Sequence, residues 1–389
     1  MKKKIAILGS TGSIGKNLLE IINKDKKNYE VVLLSADKNH KDLLKQAKKF
    51  KVKNVIIKNY ESFNILSKKK HKINVYNNFS ILNKIFKKKI DYVMCSISGI
   101  DGLIPTLSII KFTKKIAIAN KESIICAWNL IKKQLASSKT EFVPVDSEHF
   151  SIWYALKNIN VNNIERIYLT ASGGPFLKSK KSILKNIKIS DALKHPTWSM
   201  GKKISIDSCT MMNKVFEVIE AKHLFNVSSK KISILTHPNS YIHAIIKLKN
   251  GLIKIIAHDT TMKIPIFNTI NSDENKYIKT DKLNLNKLNF PELKKINYKT
   301  FPLVAILEIL PNQISLFETV IVTTNDLLVD LFLNKKIKYY QLQNLLLKII
   351  KMRIFAKYKK IKPKKIQDII FVKNNVSTTI TKILNKQNA

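Results

Sequence analysis

Three acidic side chains in two short motifs carry the donor chemistry of a hard cation. Pro144-Val-Asp146-Ser147-Glu148-His149 follows a short apolar run and sets two carboxylates two residues apart. On an extended segment or loop, Asp146 and Glu148 can converge on one divalent ion, because Mg²⁺ and Mn²⁺ prefer oxygen ligands. The alternative is helix N-capping by Asp146 or Ser147. A third carboxylate comes from the run Ser208-Cys-Thr-Met-Met-Asn213-Lys214-Val-Phe-Glu217-Val-Ile-Glu220. Read as one helix over 210–224, it places Asn213 and Glu217 at i, i+4 and Lys214 and Glu217 at i, i+3, with Glu220 near the same side. Ser208 then falls at the expected helix N-terminus, where an anion is welcome. Hydroxyl, amide and ammonium donors beside one acid suit a phosphate next to a metal. An exposed polar face is the alternative, but Met211, Met212, Phe216 and Ile219 imply that much of the helix is buried.

Other motifs carry cofactor and lid chemistry. Gly9-Ser-Thr-Gly12-Ser-Ile-Gly15 follows an apolar run and opens a helical pattern. That is the context of a dinucleotide fingerprint, in which glycines let backbone N–H groups approach the pyrophosphate. At the end of the second apolar run stands Ser35-Ala-Asp37-Lys38-Asn39. Asp37 suits the ribose hydroxyls of NAD, whereas Lys38 and Asn39 suit a 2′-phosphate, so local chemistry leaves the choice open. Asn120-Lys121-Glu122-Ser123 follows another apolar run, where Lys121 can hold a substrate oxygen and Glu122 can cap a helix or meet a nicotinamide. From Ser172-Gly-Gly-Pro-Phe176 to His195-Pro-Thr-Trp198-Ser-Met200-Gly201, glycines and prolines bracket a weakly patterned stretch. It reads as a lid, with Trp198 and Met200 excluding water and Ser172 and His195 available to an anion. The histidines at 71, 223, 237, 243 and 258 show no ligand spacing and read as structural or surface residues.

The elements that must position these groups follow from periodicity. Apolar runs at 5–8, 31–36, 55–57, 92–97, 116–119 and 142–145 alternate with helical patterns at 14–22, 42–50, 80–86 and 103–110. Short continuous apolar strands with helical crossovers indicate a parallel sheet covered on both faces, an α/β class that binds ligands at the carboxyl ends of its strands. Residues 1–145 read as a Rossmann-like dinucleotide-binding domain. Residues 146–271, with strand-like stretches at 164–170, 232–235, 242–248 and 252–256, read as a central α+β domain carrying the chemistry and the lid at 172–201. The polar stretch 272–297 reads as a linker. Residues 298–389 show helical periodicity and read as a small helical domain.

Composition bounds the function. The chain has 389 residues, enough for two or three domains at about 150 residues each. No uncharged apolar run approaches about 18 residues, which excludes a membrane-spanning helix of the usual kind. The N-terminal apolar run is too short for a signal peptide, so a cytoplasmic location is expected. Three scattered cysteines, Cys95, Cys126 and Cys209, exclude a disulfide framework and fit a reducing compartment. Lys+Arg 70 against Asp+Glu 27 gives a net charge of +43. Lysine is spread from end to end alongside Asn and Ile, residues that share A/T-rich codons, and aromatics are not interleaved with the basic runs as a nucleic-acid stacking platform requires. The field still attracts a phosphorylated substrate.

These motifs, in this order, resemble the 1-deoxy-D-xylulose 5-phosphate reductoisomerase family over nearly the whole length. The resemblance rests on Gly-Ser-Thr-Gly-Ser-Ile-Gly at 9–15, Asn-Lys-Glu-Ser at 120–123, Pro-Val-Asp-Ser-Glu-His at 144–149, Ser-Gly-Gly-Pro-Phe at 172–176, His-Pro-x-Trp-Ser-Met-Gly at 195–201 and Met-Met-Asn-Lys at 211–214. It implies rearrangement and NADPH-dependent reduction of 1-deoxy-D-xylulose 5-phosphate to 2-C-methyl-D-erythritol 4-phosphate, with Mg²⁺, Mn²⁺ or Co²⁺. It further implies that Asp146, Glu148 and Glu217 bind the metal and, with Lys121, carry catalysis. The implied substrate contacts are Lys121, Ser147, Glu148, Ser172, His195, Trp198, Ser208, Asn213, Lys214 and Glu217. For NADPH they are Thr11, Gly12, Ser13, Ile14, Lys38, Asn39, Asn120, Glu122 and Gly201. A homodimer, with neither nucleic acid nor membrane as partner, is expected. Three positions depart from the family pattern: Asp37 where glycine is usual, Val215 where a small residue is common, and Val322-Thr-Thr-Asn325-Asp326 in place of Asn-Ala-Ala-Asn-Glu. Asp37 should weaken the preference for NADPH, with Lys38 as an offset. The competing readings are another NAD(P)-dependent reductase of a phosphorylated substrate, and a basic nucleic-acid-binding protein on a dinucleotide fold. The latter predicts steeply salt-dependent binding that Glu217→Gln leaves intact.

Overall fold

The structure is a computed structural model that describes all residues except 69–71, 178, 180–186, 199, 272–275, 290–291 and 389, with 385–388 described by backbone alone. The expectation for His71, and parts of the stretches read as lid and linker, lie outside the described residues. The chain forms two compact units. The first takes residues 1–123, 131–150 and 261–279, and the second takes 124–130, 151–260 and 280–389.

The first unit is an α/β layer structure. Strands β1 (Lys3–Leu8), β2 (Tyr29–Ala36), β3 (Asn54–Ile57), β4 (Asn74–Tyr76), β5 (Ile90–Cys95), β6 (Thr113–Ile118) and β7 (Glu141–Pro144) form one sheet in the order β4-β3-β2-β1-β5-β6-β7. All its pairings are parallel. The interior strands are nearly continuous runs of buried Ile, Leu and Val, as a sheet covered on both faces requires. The crossovers run through α1 (Ser13–Lys24), α2 (His40–Lys49), α3 (Tyr60–Ser67), the single turn α4 (Leu82–Ile85), α5 (Leu103–Ile110) and α6 (Lys121–Ser138), which breaks at Ala127. The helix at Tyr60–Ser67 and the strand at Asn74–Tyr76 were not expected from the pattern. Helix α11 (Lys263–Ile270) covers the same unit, and the Tyr92 hydroxyl meets Thr269 at 2.7 Å. Helix α7 (Ser147–Ala155) follows β7.

The second unit is built on a mixed five-stranded sheet, with β8 (Ile164–Ala171), β9 (Ile232–Thr236), β10 (Ile242–Leu248), β11 (Ile253–Ala257) and β12 (Lys294–Lys295) in the order β11-β10-β8-β9-β12. Only the β8–β9 pairing is parallel. Helices α8 (Ile189–Ala192), α9 (Lys202–Cys209) and α10 (Met212–Phe225) lie between β8 and β9 in the chain. The stretch read as a linker contains the short α12 (Leu285–Asn289) and β12, which extends the sheet. Helices α13 (Phe317–Leu333), α14 (Tyr339–Ile350), the short α15 (Arg353–Ala356) and α16 (Ile366–Asn388) make the C-terminal part helical.

Two local expectations need correction. The helix expected over 210–224 starts two residues later, at Met212, because Met211 adopts a left-handed conformation (φ 66°) that separates α10 from α9, which ends at Cys209. Ser208 therefore lies in the last turn of α9 and not at a helix N-terminus. Asp146 and Glu148 do not share an extended segment. Asp146 precedes α7, and Glu148 lies in its first turn.

Candidate active site

In the first unit, the glycine-rich loop joins β1 to α1. Gly9 has φ 85°, and a Cβ there would lie 2.7 Å from the Ser96 carbonyl oxygen. A Cβ on Gly15 would lie 2.5 Å from the Ser10 Cα. Gly12 is the N-cap of α1, with no side chain bonded to the first turn. The first-turn N–H groups of a helix are the donors that an anion can use. Gln46 fixes the loop from α2: the Ser10 hydroxyl donates to Gln46 Oε1 (2.7 Å) and Gln46 Nε2 donates to the Ser10 carbonyl (3.0 Å). Sequence reading missed Gln46, since nothing in a solvent-type residue 36 positions away signals it. Thr11, Ser13 and Ile14 lie at the mouth of this turn. Asp37 and Lys38 are exposed just past the end of β2. Asn39 caps α2, its Oδ1 accepting from the Asp42 amide at 3.1 Å.

Two further residues follow the ends of neighbouring strands. β6 and β7 pair Ile118 with Pro144, so the segments after them emerge side by side. Lys121 and Asp146 meet there, with Nζ 2.8 Å from Oδ2 and both side chains largely buried. His149 Nδ1 approaches the other Asp146 oxygen at 3.7 Å. Burial pushes the Asp146 carboxyl up, but Lys121 first and His149 next outweigh it and hold the group well below the usual carboxylate range. The Ser147 hydroxyl donates to Glu148. Asn120 caps α6: Oδ1 accepts from the Ser123 amide (2.6 Å), and Nδ2 donates to the carbonyls of Ile97 and Gly99. Glu122 is buried in the first turn of that helix. His149 carries no role in the sequence reading; fully buried and 3.7 Å from Asp146, it is a second partner of that carboxylate.

In the second unit, several residues singled out from the sequence gather around the end of β8. Ser172 Oγ lies 2.9 Å from His195 Nε2 and accepts from the Gly174 amide. His195 Nδ1 accepts from the amides of Trp198 (2.9 Å) and Thr197 (3.2 Å). A nitrogen that accepts twice carries no proton, so Nε2 holds it and donates to Ser172. Burial, then the Lys214 ammonium, lowers the His195 pKa to about 4, so the ring is neutral at pH 7. Lys214 donates to the Thr170 carbonyl at 2.7 Å and pairs with Glu217 at 2.7 Å. Asn213 Nδ2 donates to the same carboxylate at 2.5 Å. Asn213, Lys214 and Glu217 thus share one face of α10, and Glu220 is buried one turn on. Gly174 (φ 62°) brings the Ser172 loop against α9, where a Cβ would sit 3.0 Å from the Cys209 Cα.

Trp198 lies edge-on to His243 (centroids 6.2 Å), which stacks on His258 at 3.7 Å. His243 and His258 are 15 residues apart, so spacing gave no signal of that pairing. His237 Nε2 accepts from the amides of Tyr241 and Ile242, a structural role. Gly201 is the N-cap of α9.

Family models described as 1-deoxy-D-xylulose 5-phosphate reductoisomerase match residues 5–128, with C-terminal domain models of the same family at 142–225 and 259–379. The 1-deoxy-D-xylulose 5-phosphate reductoisomerase of Pelagibacter ubique (strain HTCC1062) is 57% identical, covering 97% of this chain and 99% of the relative. That of Thermoanaerobacter sp. (strain X514) is 36% identical, covering 98% and 99%. Among solved structures, a DOX-P reductoisomerase in complex with NADPH, fosmidomycin and magnesium superposes with a TM-score of 0.92 at 27% identity, covering 99% of each chain. The Zymomonas mobilis enzyme in complex with NADPH gives 0.86 at 29%, again covering 99% of each.

Proposed function

The chain belongs to the 1-deoxy-D-xylulose 5-phosphate reductoisomerase family and, with NADPH and Mg²⁺, converts 1-deoxy-D-xylulose 5-phosphate to 2-C-methyl-D-erythritol 4-phosphate; we propose how its residues divide that work. Asp146, Glu148 and Glu217 hold the metal. Each offers a carboxylate oxygen, the donor class a hard divalent ion prefers. The donor set fits the ion, because Asp146 stays ionised beside Lys121 and Glu217 is buried beside Lys214. When bound, the metal polarises the substrate carbonyl and lowers the pKa of a chelated hydroxyl, while NADPH supplies the hydride.

The observation that carries this division is Lys214. One buried ammonium joins the end of β8, two residues before Ser172, to the carboxylate of Glu217. Ser172, His195, Ser208, Asn213 and Lys214 anchor the sugar phosphate, and their binding energy orients the reacting end. His195 is neutral at pH 7, so it contributes a directed N–H and no full charge. Lys121 and Ser147 meet the reacting carbons, and Trp198 and Met200 keep water from them. Thr11, Gly12, Ser13 and Ile14 take the pyrophosphate at the start of α1. Lys38 and Asn39 lie toward the 2′-phosphate. Asn120, Glu122 and Gly201 complete the NADPH contacts, with Asn120 shaping the wall of that site.

In this reading residues 1–145 serve the cofactor, 146–271 the chemistry, 272–297 link, and 298–389 support the catalytic residues. A homodimer is favoured by β11, an edge strand on which Ile253 and Ile255, with Leu252 just before it, are more than half exposed. Among the described residues no helix is long and apolar enough to cross a membrane. We place the enzyme in the cytoplasm.

The test is product identity. Purified protein incubated with 1-deoxy-D-xylulose 5-phosphate, NADPH and Mg²⁺ should yield the branched tetrol phosphate, detected by NMR. Chelator should abolish it and added Mg²⁺ restore it. Protein that is folded yet makes no branched product would contradict the assignment.

A further inference from the structure

We propose that Asn325 is a positioning residue for the substrate phosphate, acting through Asp207 on the end of α9. The proposal rests on the phosphate assignment of Ser208, Asn213 and Lys214 made above. Only Thr210 and Met211 separate α9 from α10, and Met211 is left-handed, so this junction sets the direction of both helices. Ser208 stands on one side of it, and Asn213 and Lys214 stand on the other.

The junction is held from the C-terminal helices. Asn325 Nδ2, on α13, donates to Asp207 Oδ1 at 2.7 Å, with both side chains essentially buried. Lys203 Nζ bridges Asp207 Oδ2 (3.0 Å) and Asp326 Oδ1 (3.1 Å). The Tyr339 hydroxyl, on α14, donates to the Cys209 carbonyl at 2.8 Å. Ser208 therefore lies between two residues that are each pinned by a distant helix. The Tyr339 ring also packs edge-on against Phe176 at 5.4 Å, and Gly174 of the same loop abuts Cys209. The Ser172 loop and Ser208 thus rest on one support.

A buried carboxylate must find partners, and Asp207 uses both oxygens on α9 and α13. That gives the run Val322-Thr-Thr-Asn325-Asp326 a role in this chain: its last two residues fix the register of α13 against α9. Losing the Asn325 amide frees the end of α9 to shift, and a shift of that kind degrades phosphate binding before it degrades cofactor binding.

The experiment measures steady-state kinetics and competitive inhibition by inorganic phosphate for Asn325→Ala, Tyr339→Phe and the reciprocal swap Asp207→Asn/Asn325→Asp. We expect Asn325→Ala to raise both KM for 1-deoxy-D-xylulose 5-phosphate and Ki for phosphate roughly tenfold, through displacement of Ser208 at the end of α9. NADPH KM and kcat should stay within about twofold. Tyr339→Phe, which keeps the ring, should shift the same two constants in the same direction by a smaller factor. The swap restores donor and acceptor and should recover most of the loss. Unchanged phosphate Ki in both Asn325→Ala and Tyr339→Phe would overturn the proposal, as would NADPH KM rising in parallel. Wild-type enzyme that turns over substrate but resists phosphate competition would instead remove the phosphate assignment of Ser208, Asn213 and Lys214, and this proposal with it.

Discussion

The Lys214 ammonium lies 2.7 Å from the Glu217 carboxylate one helical turn further along α10, and both side chains are buried. Each neutralises a charge that the protein interior would otherwise penalise. In the proposed chemistry they serve opposite partners, the cation meeting the phosphate and the anion meeting the metal.

Breaking that pair from one side should be costly. Lys214→Met is expected to destabilise the fold by about 3 kcal/mol, because Glu217 keeps its burial and loses its counter-ion. The double variant Lys214→Met/Glu217→Gln should recover at least half of that loss. Chemical denaturation of the four proteins of the cycle checks it, and additive losses would show that the pair is not coupled.

The glycine loop should not tolerate a methyl group at position 15. A Cβ there meets the Ser10 Cα at 2.5 Å, and backbone cannot yield as a flexible side chain does. Gly15→Ala should cost about 2 kcal/mol or more and raise NADPH KM strongly while leaving substrate KM nearly unchanged. Calorimetry with kinetics distinguishes this from a tolerant loop.

Asp37 should set the cofactor preference. It is exposed past the end of β2, beside Lys38. Asp37→Gly removes an anion from the proposed 2′-phosphate region and should lower NADPH KM by roughly threefold, with NADH KM unmoved, at low salt. The gain should shrink at high salt. Equal change for both cofactors would place Asp37 away from the 2′-phosphate.

Glu318 should leave a signature in the pH dependence of stability. Burial, against Ser315 and Lys222, raises its carboxyl from 4.5 to about 6. Between those values the folded state binds more protons than the unfolded one. Its contribution is full below pH 4.5 and is lost as pH rises through 6, a change of about 2 kcal/mol. The stability of wild type minus that of Glu318→Gln should therefore fall by about this amount from pH 4 to pH 7, as read from denaturant melts. A flat difference would mean that Glu318 ionises normally.

The parallel sheet was legible because short apolar runs such as Ile5-Ala-Ile-Leu8 alternate with helical patterns, as buried strands with helical crossovers do. Lys121 reads as a helix start after one apolar run and Asp146 as the end of another; only the pairing of β6 with β7 brings the two into an ion pair. β4 and β12 escaped notice, since Asn74–Tyr76 and Lys294–Lys295 are too short and polar to show a period. The left-handed turn at Met211 was invisible because methionine carries no signal for positive φ, and Ser208 was assigned to the wrong end of a helix for that reason. Asp207 and Asn325 lie 118 positions apart, and only the packing of α13 on α9 relates them.

In the proposed mechanism Glu217 works with a divalent metal on a sugar phosphate that NADPH then reduces. NADPH oxidation at saturating 1-deoxy-D-xylulose 5-phosphate, with Mg²⁺ titrated from zero for wild type and Glu217→Gln, tests it most directly. Wild type should oxidise NADPH in a metal-dependent way, and the variant should be at least roughly 10²-fold slower at every metal concentration. A Glu217→Gln enzyme with wild-type rate and metal dependence would contradict it.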